Sequence, residues 1–129
     1  MGLQNFDELV PVNVVKYINS ASGTTPVSIS AKQPARVRVD AVLAVNTDSV
    51  AHVVQLFLND GTTFGLIGSV SIAAGQGTAG TPSVDVLSLC LPSAVTGVVL
   101  ATTSDLLAGV PTAITSALQI QVTMLGGYV

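Results

Sequence analysis

Short runs of alternating apolar and polar residues, each closed by Gly, Pro, Asn or Asp, recur along this chain and constrain its fold more than any other feature. Alternation with period two puts every second side chain on one face of an extended strand, whereas a helix needs apolar residues three and four apart. Arg36-Val37-Arg38-Val39-Asp40 is the cleanest case, with Val37 and Val39 facing one way and Arg36, Arg38 and Asp40 the other. The run continues into the more fully apolar Ala41-Val42-Leu43-Ala44-Val45 and stops at the turn cluster Asn46-Thr47-Asp48-Ser49.

The same reading gives strands at Val10–Asn19, with Pro11 suited to a strand start or edge, at Thr24–Ser30 and at Val50–Leu58. Asn59-Asp60-Gly61 between two strand-like runs is the strongest hairpin signal. Thr62–Ile72 is then the return strand, with Gly65 and Gly68 as bulge or close-approach positions. Ala73–Pro82 is a Gly-rich loop. Ser83–Cys90 reads as one short helix, capped by Ser83, with Asp85 in its first turn and Pro92 beyond its end. Gly97–Thr103 and Ala117–Leu125 are the expected last strands, joined through a loop containing Gly109-Val110-Pro111. The expected class is all-β: an antiparallel β-sandwich, jelly-roll or Greek-key-like, of seven to eight strands with one short helix in a loop. Residues 1–9 are expected as an N-terminal arm and 10–129 as a single sandwich domain.

Charge narrows the function classes. Charged residues make up 9% of the 129 residues, against roughly a quarter in ordinary domains. The basic residues Lys16, Lys32, Arg36 and Arg38 lie in the first third, and from Gly61 to Val129 there are only Asp85 and Asp105. No basic cluster exists to neutralise several phosphates, so nucleic-acid binding is not expected. The net charge of −3 argues against attraction to an anionic membrane surface. Gly, Pro, Ser and Thr interrupt every apolar stretch well short of the ~20 residues of a spanning helix. Aromatic residues, at 4%, are too few for the girdles of an outer-membrane barrel. The acidic start, Met1 to Glu8, has no signal-peptide pattern, and the single Cys90 forms no intrachain disulfide. Both favour synthesis and assembly in a cytoplasm.

Individual motifs resolve to bland readings. Gly75-Gln76-Gly77-Thr78-Ala79-Gly80 matches the dinucleotide fingerprint, but Thr81-Pro82 follows where a helix must open, and no acid lies about 20 residues on. His52 is the only histidine, on the face of Val50 and Val54, with neither a metal-ligand set nor a nucleophile-elbow motif. Cys90, between Leu89 and Leu91, is core filler. Asp85 and Asp105 lack the aromatic platform of a sugar site, and Asn59-Asp60 is better explained by its turn than by calcium. No catalytic, cofactor-binding or metal-ligating residue is assigned, and no enzyme activity, cofactor or small-molecule substrate is expected.

A series of phrases resembles the small β-sandwich structural proteins of tailed-bacteriophage virions, the head decoration and auxiliary proteins. These are Val45-Asn46-Thr47-Asp48-Ser49 leading to Val53-Val54-Gln55-Leu56-Phe57-Leu58-Asn59-Asp60-Gly61, then Leu66 to Gly80, then Pro82 to Leu87, and the ending Val122 to Tyr128 with its Gly126-Gly127-aromatic close. The likeness runs from about Val37 to Val129. It implies a protein that sits on major-capsid subunits, commonly as a homotrimer, located in the virion after assembly in the host cytoplasm. It carries over no catalytic residues and leaves Met1 to Val10 outside the match. The alternatives are a tail, baseplate or head-fibre component and, from another class, a carbohydrate-binding sandwich module. A sandwich poor in charge and rich in Ser and Thr suits burial against other copies. Gly61–Val129 is expected to hold most subunit contacts, with the charged first half facing solvent.

Overall fold

A computed structural model describes residues 10–30, 36–92, 97–115 and 117–129. The expected arm, residues 1–9, lies outside them, as does Lys32. Along the chain run β1 (Pro11–Asn19), β2 (Val27–Ser30), β3 (Val37–Asn46), β4 (His52–Asn59), β5 (Phe64–Ile72), β6 (Val84–Asp85), α1 (Val86–Cys90), β7 (Val98–Leu100), β8 (Asp105–Gly109) and β9 (Gln119–Tyr128). Sheet A has the order β1-β9-β3-β6, with β7 also on β3, and sheet B the order β2-β8-β4-β5. Every pairing is antiparallel.

The order follows from one long doubled-back chain. β1 pairs with β9, β2 with β8, β3 with β7 and β4 with β5, as in a single extended hairpin. Rolling that hairpin brings β9 against β3 and β8 against β4. The result is an antiparallel jelly roll, two sheets facing each other across a shared core. β6 at Leu43 and Ala44, and β7 at Val37 to Val39, together make one interrupted edge of sheet A.

The core is aliphatic: Ile18, Ile29, Val39, Val42, Val54, Leu56, Leu106, Ile120, Val122 and Met124 are fully buried or nearly so. Val37 and Val39 point inward while Arg36 and Asp40 are exposed, which is the alternation of the sequence. A bulge between Val39 and Ala41 then shifts the phase by one, so that Val42, Ala44 and Asn46 face the core in their turn. Without that extra residue every later side chain of β3 would sit on the wrong face. A second bulge, between Ser28 and Ser30 of β2, is bridged by Ser30, whose hydroxyl oxygen accepts the Leu106 amide at 2.9 Å.

Several boundaries differ from the sequence expectation. Asp105–Gly109, assigned to a loop, is β8, an interior strand of sheet B. Its five residues are too short to alternate visibly, and Gly109 and Pro111 disguise it as a turn. Val84 and Asp85 pair with β3 before the helix starts, so the cap is Asp85 rather than Ser83; its carboxylate accepts the Ser88 amide at 3.4 Å. The hairpin loop is longer than Asp-Gly alone: Asn59 pairs with Phe64, and the Asp60 amide donates to the Thr63 carbonyl. β9 runs on through Gly126 and Gly127 to Tyr128. There the strands approach so closely that a Cβ on Gly126 would collide with the Arg38 carbonyl oxygen, whereas one on Gly65 would meet open space. Gly126→Ala is expected to cost about 1–3 kcal/mol through forced separation of β9 from β3, and Gly65→Ala to stay within ~0.5 kcal/mol. Denaturant midpoints of the two variants check the contrast.

Candidate functional site

At one end of the sandwich, loops 47–51, 73–83 and 110–118 meet over the end of β3. Asn46, the last residue of β3, is buried and organises them. Its side-chain amide donates to the carbonyls of Val50 (3.0 Å) and Ala73 (3.1 Å), and its Oδ1 accepts the Asp48 amide at 2.9 Å. The backbone adds Asn46 N–H to Gln76 O at 2.9 Å and Gly75 N–H to Asp48 O at 3.2 Å. Thr47 makes three bonds with Gln119: its amide and its hydroxyl donate to the Gln119 carbonyl, and its hydroxyl oxygen accepts the Gln119 amide.

Asp48 and His52 form the charged centre of this end. Their side chains are 0% and 6% exposed, with Asp48 Oδ2 2.8 Å from His52 Nε2. The same oxygen accepts the Thr115 amide at 3.0 Å, which ties the β3–β4 loop to the β8–β9 loop. The bond from His52 and the Thr115 amide hold the Asp48 carboxyl well below its ordinary value. An ionised carboxylate can only accept, so Nε2 is the ring nitrogen carrying a proton toward it. His52 faces inward with Val54, as the alternation implied, but Val50 lies in the loop and is exposed. No described serine or threonine hydroxyl is bonded to His52, and no group of three or more metal-ligating side chains occurs among the described residues. With both side chains almost wholly buried, the pair clamps the loops together.

The fingerprint glycines serve the same end. Thr78 Oγ1 donates to the Gly75 carbonyl at 2.5 Å, and Thr81 Oγ1 accepts the Gly77 amide at 2.9 Å, so the loop bonds to itself. Gly77, at φ +88°, is pressed against Val45, and β6 follows where a nucleotide fold would place a helix. Asp85 caps α1 in the sheet A edge, and Asp105 accepts the Ser28 hydroxyl within sheet B, so the two late acids do not form a pair. Asp60 Oδ1 accepts the Thr63 and Thr62 amides, which lower its carboxyl and close the hairpin loop. Cys90 packs under β5 against Gly68, where burial pushes its thiol up.

The outer faces of the sheets are unusual for a solvated domain. Across sheet A the residues Val15, Tyr17, Val99 and Leu125 are exposed, accompanied by the Arg38–Asp40 ion pair (2.8 Å) and by Gln and Thr of β9. Across sheet B, Val53, Phe64 and Leu66 are exposed, and the rings of Phe57 and Phe64 stack with centroids 4.9 Å apart. Beside them Leu58, Asp60, Thr63, Gly65, Leu66 and Ile67 line an open depression of about 260 Å³. Sequence reading did not find this patch, because a bulge at Ile67 shifts the phase of β5.

No family model, curated protein or solved structure matches the chain.

The depressed Asp48 carboxyl gives a signed prediction. Its stabilising contribution is complete above the ordinary carboxylate value of 3.8 and is lost as pH falls through its lower folded value. Asp48→Asn should melt at a lower temperature than the parent at pH 7, and the gap should narrow below about pH 3.8. Calorimetric scans between pH 2 and 7 check this; a gap independent of pH would contradict the clamp.

Proposed function

We propose that this protein is a structural component of a bacteriophage virion, a capsid decoration or auxiliary protein that binds the major capsid protein and stabilises the head shell. In this role it works as several copies, in the expected form a homotrimer, and performs no chemistry. The observation that carries the reading is the scarcity of charge on the outer sheet faces, lowest on sheet B, where Asp105 is the one Asp, Glu, Lys or Arg of the described strands. Obligate interfaces are depleted in charge and approach core composition, while solvated faces normally carry Lys, Glu, Arg and Asp. Jelly rolls also recur in viral shells, an association of fold rather than a warrant of function. The order of phrases from Val37 to Val129 supports the same role.

The buried Asp48–His52 clamp fits a structural part, since it fixes loops instead of exposing a reactive group. Incubation of the purified protein with isolated phage heads, followed by sedimentation, is the direct test. Saturable co-sedimentation at a fixed ratio to capsid subunits is expected, together with increased resistance of the heads to heat. Binding to tails and not to heads would move the protein to the tail or baseplate, and binding to no virion part would end the proposal.

A further inference from the structure

We draw no further inference here: the strongest candidate, the outer face of sheet B where Leu107, Phe57 and Leu66 stand in register beside the open depression, also carries Gln55, Asn59, Ser69 and Ser71, and nothing in the structure shows what covers it.

Discussion

The pairing of β9 with both β1 and β3 is the constraint on which the rest of the molecule depends. The last strand of the chain lies between the first and the third, so sheet A has no interior until the C-terminus arrives. The registers Ile18 to Ile120 and Val42 to Met124 bring the fully buried residues of three strands into one layer. Contacts this distant in sequence require the loop entropy to be met before they are rewarded, so the fold is one of high contact order. Gly126 marks where the closure is tightest, with β9 against the Arg38 carbonyl.

Closure at the loop end uses polar groups where the core runs out. Asn46, Asp48 and His52 are buried at the rim, where backbone carbonyls and amides of three loops would otherwise lack partners. Asn46 bonds to carbonyls and Asp48 to an amide, which divides the work according to what each side chain can donate or accept. A carboxylate removed from water is tolerated because His52 and Thr115 both bond to it. The same arrangement uses the histidine as a fastener between loops.

The two sheets differ in what they offer to neighbours. Sheet A keeps Lys16 on its edge strand β1 and an ion pair on β3, features that discourage edge pairing and favour solvent. Sheet B has an apolar row and a stacked ring pair instead. Its residues come from both halves of the chain, Val53 and Phe57 from the first and Phe64, Leu66 and Leu107 from the second. The division into a charged half and an uncharged half is therefore coarser than the division between the two sheets.

Alternation and turn residues alone determined the class of this protein, because period two and closely spaced breakers admit little besides short antiparallel strands. Val37 and Val39 inward, Arg36 outward, and a hairpin near Asp60 were all legible in local sequence. β8 was not, since five residues ending in Gly109 carry no period and gain strand structure only between β2 and β4. Nor was the Asp48–Thr115 tie, which joins residues far apart in the chain. The bulges in β3 and β5 decided which later side chains face out, and a one-residue slip reverses every face after it. Sequence thus set the strands and the shortage of charge. Only the tertiary pairing decided that Leu107, Phe57 and Leu66 stand in one row, because register is fixed by partners the local sequence does not contain.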